Sequence, residues 1–530
     1  MSTPSSLTSV DRTASPPKIT VPRQYNAAAD FIDCHMAAGR GERIAVRDDR
    51  GSTSYRALAE RVNRAGNMLK ALGVRAEDRV LLLLLDSVEF PALFFGAIKL
   101  GAVPVPLNTL LTTDDYGFML RDSRARLLVV SAPLYEKVAP LLAQSSSLEG
   151  VVVDGAGAHG KPLLADLIAQ ASPALAPAAT VADDVAFWLY TSGSTGQPKA
   201  AVHLQSDMIY ATELYALPVL GIREDDVMFS VAKLFFAYGL GNAMYFPFRV
   251  GATALLMAER PTPQSVTKRF SEGRPTLFFG VPTLYAALLA DPSLPAKGKH
   301  ALRACISAGE ALPAEISRRW HDHVGVEILD GIGSTEMTHI FLSNRFDALR
   351  YGSTGTAVPG YELKLVGEDG NAVGAGEIGD LYVSGPTSAI MYWNNRARSL
   401  ESFQGRWTKT GDKYVVDPDG YYVYQGRSDD MLKVGGIFVS PFEVEAALAS
   451  HEAVLEAAVV GHDDADNLVK PKAFVVLKSG YQPSEALAET LKAHVKGKLA
   501  HYKFPRWLDF VSELPKTATG KIQRFKLRQM

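Results

Sequence analysis

Nine consecutive residues, Thr191-Ser192-Gly193-Ser194-Thr195-Gly196-Gln197-Pro198-Lys199, constrain this chain more than any other stretch. They follow an apolar run, Phe187-Trp188-Leu189-Tyr190, that reads as a buried strand. A strand that empties into backbone N–H groups, hydroxyls and one ammonium makes a cradle for phosphate. Gly193 and Gly196 let the backbone curl close to an anion, and Lys199 supplies the countercharge. A Walker A loop is excluded, because Gln197 and Pro198 separate the last glycine from the lysine. Pro198 also disfavours the immediate helix start that a P-loop uses. A solvated Ser/Gly linker shares the composition, but linkers rarely follow a buried strand or end on Pro-Lys.

With 530 residues the chain has room for several domains or subdomains. Its 55 Lys and Arg against 57 Asp and Glu leave no excess charge to draw nucleic acid or an anionic membrane surface. Cys34 and Cys305 stand far apart, which excludes a disulfide scaffold and a cysteine metal site and fits a reducing cytosol. Residues 1–24, rich in Ser, Thr and Pro, read as a disordered arm rather than a signal peptide. The most apolar run, Val80 to Leu85, ends at Asp86, far short of the ~18 residues a membrane span needs. A soluble, cytoplasmic protein with no membrane or nucleic-acid partner is the expectation.

From Tyr25 to about Leu107 helical and strand patterns alternate. Leu58, Val62, Ala65, Met68, Leu69 and Leu72 predict a helix from Tyr55 to Leu72, and Val80–Leu85 predicts a strand. A helix over about Phe90 to Leu100 and a strand over Ala102 to Leu107 complete a βα rhythm, which implies a parallel sheet covered by helices. Leu127–Ser131 and Val151–Asp154 read as further strands, and residues 155–182 as an irregular surface stretch. Later strands are expected at Val227–Val231, Thr253–Met257, Leu277–Phe279, Ala304–Ser307 and Val326–Asp330. From Gly355 the texture becomes β-rich, with alternation over Tyr361–Val366 and Glu377–Val383. Gly374 to Gly379 spells G-x-G-x-x-G but leads into a strand, so it is no dinucleotide fingerprint. A boundary falls near Gly426 to Asp430, beyond which a short mixed pattern includes a helix capped by Ser484. The expected class is α/β. A large N-terminal domain of βα-layered sheets (25–428) carries a small β-rich subdomain, and a small mobile α+β C-terminal domain (429–530) follows.

Two more clusters join the phosphate loop. Ile332-Gly333-Ser334-Thr335-Glu336 follows a strand and sets a hydroxyl and a carboxylate where ligands bind in open α/β sheets. Thr410-Gly411-Asp412 offers a carboxylate able to accept two ribose hydroxyls. In their joint order these segments resemble the adenylate-forming superfamily of acyl-CoA synthetases, luciferases and peptide-synthetase adenylation domains. The resemblance runs from about Tyr25 to the C-terminus and implies ATP, Mg²⁺ and coenzyme A. It implies that Thr191, Ser192, Gly193, Ser194, Thr195, Gly196 and Lys199 close on ATP, and that Thr335 contacts phosphate while Glu336 holds the metal. Ala308, Gly309 and Glu310, with Asp330, Gly331 and Ile332, would line the rest of the nucleotide pocket. Asp412 and Arg427 would bind the ribose, Asp429 would be the hinge, and Lys521 of the PKTATGKIQR segment would approach the α-phosphate. Many relatives carry an aromatic residue at the place of Ile332, so adenine would meet aliphatic packing instead.

Attack of a carboxylate on an α-phosphate brings two anions together, so the site needs fixed positive charge rather than a general base. Thiol attack on the acyl carbonyl then needs the lysine withdrawn and a channel opened, which a hinge achieves. Gly435 and Gly436 either let a pantetheine arm pass close to backbone or form an ordinary turn.

The acid pocket is expected from Phe236, Ala237, Tyr238, Gly331, Ile332, Gly333 and His339. Ala237 stands where amino-acid-activating relatives carry an aspartate, which favours a neutral acid. The small residues leave a flat slot for a planar ring. The segments Lys233 to Gly239 and Asp330 to His339 resemble benzoate–coenzyme A ligases. That resemblance implies benzoate or a small ring-substituted benzoate, activated as an acyl-adenylate with release of pyrophosphate and passed to coenzyme A, in the breakdown of aromatic acids. His339 either lines the far end and selects against para substituents or is a satisfied polar residue. The alternatives are an adenylation enzyme loading a carrier protein in trans, and a nucleotide-binding sensor. A homodimer is an arrangement the sequence leaves open.

Overall fold

Helical spacing of apolar residues places the helix Tyr55–Ala71, opened by Ser54, whose hydroxyl accepts a hydrogen bond from the Ala57 amide. Its partner is Glu89–Leu100, and the two meet at Gly66 and Gly96, where a Cβ on either would stand 2.8 Å from the other's backbone. The computed structural model describes residues 7–157, 159–192, 197–428, 430–434, 437–464, 468–516 and 522–530. Gly193, Ser194, Thr195, Gly196, Asp429, Gly435, Gly436 and Lys521 lie outside the described residues.

Two parallel arrays organise the N-terminal region. Four strands run in the order Val103–Pro106, Arg79–Leu83, Leu127–Ser131, Gly150–Asp154, all parallel. A nine-stranded sheet has a parallel centre of Ile328–Gly333, Ala304–Ser307, Leu277–Gly280, Val227–Ser230, Thr253–Leu255 and Ile44–Asp48. One core joins them, with Leu82 and Val129 from the first sheet, Val46 and Phe279 from the second, and Leu58 and Phe94 from the helix pair. Leu81, Leu83 and Val130 face a second cluster, so both faces of the four-stranded sheet are covered. That two-sided burial explains the unbroken apolar run the sequence shows there.

The chain then turns to antiparallel pairing. Ile328–Gly333 returns as Ile340–Ser343, and the β-rich part pairs Glu362–Val366, Ile378–Ser384, Trp407–Val416 and Tyr422–Arg427. Three strands, Val454–Asp463, Val469–Leu477 and Trp507–Phe510, with the helices Pro441–Ala449 and Glu485–Lys498, build the C-terminal part around its own core. Ser428 is tied to the first part by its hydroxyl on Asp380 (2.7 Å), whereas Asp430 is tied to Arg528 (2.6 Å) in the second. Tyr424 meets Phe442 edge-on between them.

Two sequence expectations are corrected. Residues 7–24 do not form a disordered arm. Ser9–Asp11 and Lys18–Thr20 pair as a two-stranded ribbon, and Arg12 clamps buried Glu213 with bonds of 2.7 and 2.8 Å. An Arg fork on a buried carboxylate supplies what the arm's polar composition does not. Within 155–182, Leu164–Gln170 is helical because Leu164 and Ile168 share one buried face.

Candidate active site

The apolar run before the phosphate loop forms the strand Val185–Ser192, and Pro198–Leu204 returns antiparallel to it, with Thr191 opposite Lys199. The second strand of that pair was not foreseen in the sequence, because Lys199-Ala200-Ala201-Val202-His203 has no strict alternation. A third short strand, Met391–Tyr392, pairs with Ala201 and Val202. It brings Tyr392 beside the loop lysine. Lys199 Nζ donates to Tyr392 Oη at 3.2 Å and sits 4.3 Å from the ring centroid, while the Tyr392 hydroxyl donates to Glu336 Oε1 at 2.6 Å. Burial draws the Lys199 ammonium's pKa down, and the nearby Glu336 carboxylate opposes that shift.

Glu336 and Thr335 occupy a short turn after Ile328–Gly333. Buried His203 fixes that turn. Its Nε2–H donates to the Thr335 carbonyl at 2.8 Å, and its Nδ1 lies 2.8 Å from Asp207 Oδ2. Thr338, at φ +66°, closes the turn with its hydroxyl on the Thr387 carbonyl, and the Ala389 amide donates to the Glu336 carbonyl at 2.7 Å. His203, Asp207 and Tyr392 were missed by sequence reasoning. The only signal for the first two is their i, i+4 spacing, and Tyr392 gives none.

Ser307 ends its strand and pairs in register with Asp330 of the adjacent parallel strand, the last pair before the two diverge. Ser307 Oγ, Asp330 Oδ1 and Ser334 Oγ are buried without a hydrogen-bond partner, and burial pushes the Asp330 carboxyl well above its ordinary range. Unsatisfied oxygens at the C-terminal ends of parallel strands fit a polar, hydrogen-bonding ligand such as a nucleotide. Ala308 is buried, and Gly309 has φ +95° with open space where a Cβ would stand. Glu310 and Ile332 are half-buried beside them. Asp412 and Arg427 face each other across an antiparallel pair, with Nη1 to Oδ1 at 3.0 Å. The Asp412 charge raises the pKa of Arg427. The Thr410 hydroxyl accepts from the Asp412 amide at 3.1 Å and so fixes the backbone there, while Arg427 orients the carboxylate before any ligand arrives.

On the acid side, the Tyr238 hydroxyl donates to the Ile306 carbonyl at 3.2 Å, which stands the ring at the ends of two central strands. Phe236 is half-buried and Ala237 buried at the start of the turn Ala237–Leu240. Gly333 does not open a slot. A Cβ there would stand 2.4 Å from the His339 carbonyl, so the hairpin itself requires that glycine. A Cβ on Gly331 would press at 3.2 Å on Ile340. His339 is buried among Tyr215, Tyr238 and Phe246, with Nε2 3.1 Å from Asn242 Oδ1, and burial pushes its pKa down to about 3. Asp86 anchors the preceding segment by accepting from the Leu234 amide at 3.2 Å.

Among the described residues no group of three or more His, Cys, Asp or Glu side chains could hold a metal ion. A lone Glu336 fits Mg²⁺, which takes one or two carboxylates and completes its shell with phosphate oxygens and water.

Residues 35–393 match the AMP-binding enzyme family, and residues 443–521 match the AMP-binding enzyme C-terminal domain. The chain is 58% identical over 524 residues to a benzoate–CoA ligase of Thauera aromatica, covering 98% of this chain and 99% of that one. It is 49% identical over 514 residues to a 4-hydroxybenzoate–CoA/benzoate–CoA ligase of Rhodopseudomonas palustris, covering 96% and 94%. The crystal structure of a benzoate CoA ligase from Burkholderia xenovorans LB400 superposes with a TM-score of 0.90 at 54% identity, over 95% of this chain and all of that one.

Proposed function

Because the chain belongs to the AMP-binding enzyme family, we propose that it is an AMP-forming ligase joining benzoate, or a small substituted benzoate, to coenzyme A. The observation that carries this reading is the near full-length likeness to ligases named for that reaction, of which the first shares 58% of its residues. In the first step a benzoate oxygen attacks the α-phosphorus of ATP, forming the acyl–phosphate bond and releasing pyrophosphate. In the second, the coenzyme A sulfur attacks the acyl carbonyl, the thiol proton leaves to solvent, and AMP departs with the electrons of the acyl–oxygen bond.

Each residue has a task in this reading. Lys199 and the loop from Thr191 to Gly196 hold the β- and γ-phosphates, and Thr335 contacts phosphate. Glu336 would hold Mg²⁺, which supplies positive charge to the phosphates when bound. Asp412 and Arg427 fix the ribose, and Asp330, Gly331, Ile332 and the segment Ala308 to Glu310 line the base. Phe236, Ala237, Tyr238 and His339 bound the aromatic ring. Lys521 brings an ammonium to the α-phosphate, and rotation about Asp429 exchanges it for a thiol path past Gly435 and Gly436. The separate ties of Ser428 and Asp430 to the two parts support a pivot at the residue between them. Domain limits of 25–428 and 429–530 follow from the same pivot.

Carrier loading is less favoured, since the relatives that share 58% and 49% of their residues with this chain are named for coenzyme A as the acceptor. Among the described residues no helix is long and apolar enough to cross a membrane, and the small charged substrates fit a cytoplasmic setting. The test is pyrophosphate release over a panel of acids. Benzoate should lead, and coenzyme A should raise turnover. Release that leads with an amino acid or a fatty acid would overturn the assignment.

A further inference from the structure

Lys199 and Glu336 come from different parts of the chain and meet through one atom, the phenol oxygen of Tyr392. The ammonium donates to that oxygen at 3.2 Å, and the hydroxyl donates onward to the carboxylate at 2.6 Å. A chain of donors running in one direction strengthens each member. The ring itself is fixed. It is 3% exposed, it is tilted against Phe403 at 5.1 Å between centroids, and its backbone amide donates to the Ser399 hydroxyl at 2.9 Å. Its strand pairs with Ala201, two residues past the lysine. Its face receives the ammonium at 4.3 Å, a cation–π distance. A side chain so locked sets the positions of the two charges it touches.

We infer that Tyr392 is a positioning residue for the phosphate site, a spacer that keeps Lys199 and Glu336 close without letting them neutralise each other. A flexible ammonium beside a carboxylate collapses into a direct ion pair, which would take the countercharge from the phosphates and the carboxylate from a metal. With the phenol between them, both charges stay available on a common scaffold. This inference rests on reading residues 191–199 as an ATP phosphate loop.

The test is calorimetric titration of the full chain with ATP and Mg²⁺, comparing Tyr392→Phe with wild type alone and in a Lys199→Met background. Phenylalanine keeps the ring and its packing and removes only the oxygen. Losing hydrogen bonds to charged groups should weaken nucleotide binding about tenfold or more. The melting temperature should fall by no more than a few degrees, and the KM for benzoate should stay at its wild-type value. In the Lys199→Met background the same change should add little, because the ammonium to be spaced is gone. Equal affinity of wild type and Tyr392→Phe would overturn the inference while leaving the ATP site intact. An equal loss in both backgrounds would also overturn it, since that is what a packing residue gives. Failure of the wild type itself to bind the nucleotide would overturn both the inference and the site reading.

Discussion

Burial keeps the His339 imidazole neutral at ordinary pH, its pKa pushed down to about 3. The unfolded chain, with a pKa of ~6.5, binds a proton there first, so stability contributed by this residue is complete above that value and is lost as pH falls toward 3. His35, drawn down to about 4 by burial, acts in the same sense. His339→Gln should therefore narrow the stability gap between pH 7 and pH 5 in denaturant titrations, by up to about 2 kcal/mol. An unchanged gap would contradict a buried neutral imidazole. The preformed Asp412–Arg427 pair makes a second demand: Arg427→Ala should raise the KM for ATP about tenfold or more and leave that for benzoate nearly unchanged, as steady-state kinetics would reveal. At this scale the residues with a motif around them, namely Lys199, Thr335, Glu336, Asp412 and Arg427, could be singled out in the sequence as candidates. Tyr392 and His203 were not, because their roles arise only when strands distant in sequence pair, and a single Tyr or His carries no pattern.

Secondary elements account for the glycines. Gly333 exists because the strand Ile328–Gly333 folds back on Ile340–Ser343 so closely that a Cβ would stand 2.4 Å from the His339 carbonyl. Gly333→Ala should cost roughly 2 kcal/mol or more of stability, visible in the melting temperature, and should displace Glu336 and His339 together. A variant with wild-type melting and turnover would show that the hairpin has slack. The N-terminal ribbon offers another test. Its Arg12 clamp on Glu213 is its main charged tie, so Arg12→Ala should expose residues near the ribbon to limited proteolysis while leaving benzoate turnover close to wild type. Parallel strands and their helices could be read from the sequence to within a few residues, since burial on one or two faces leaves a periodic trace. The ribbon could not, because its Arg12 ion pair to a distant buried carboxylate leaves no trace in local composition.

For the whole molecule, the proposed ligase runs two half-reactions on one nucleotide site with the C-terminal part in two positions. Asp429→Pro, which stiffens the proposed pivot, should spare one half-reaction more than the other, measured as pyrophosphate release against thioester formation. Lys521→Ala should lower the first half-reaction by about 10²–10³ and touch the second far less. The division into a large and a small part was legible in the short mixed pattern that follows Gly426 to Asp430, whereas the tie of Tyr424 to Phe442 across it was not, being a contact between two distant aromatic residues. The most direct measurement is acid-dependent pyrophosphate release with ATP and Mg²⁺ over benzoates, short fatty acids and amino acids, with and without coenzyme A. Benzoate leading the panel, with turnover raised by coenzyme A, is the expected result. Release that benzoate fails to trigger, or that coenzyme A leaves unchanged, would contradict the ligase assigned to this site.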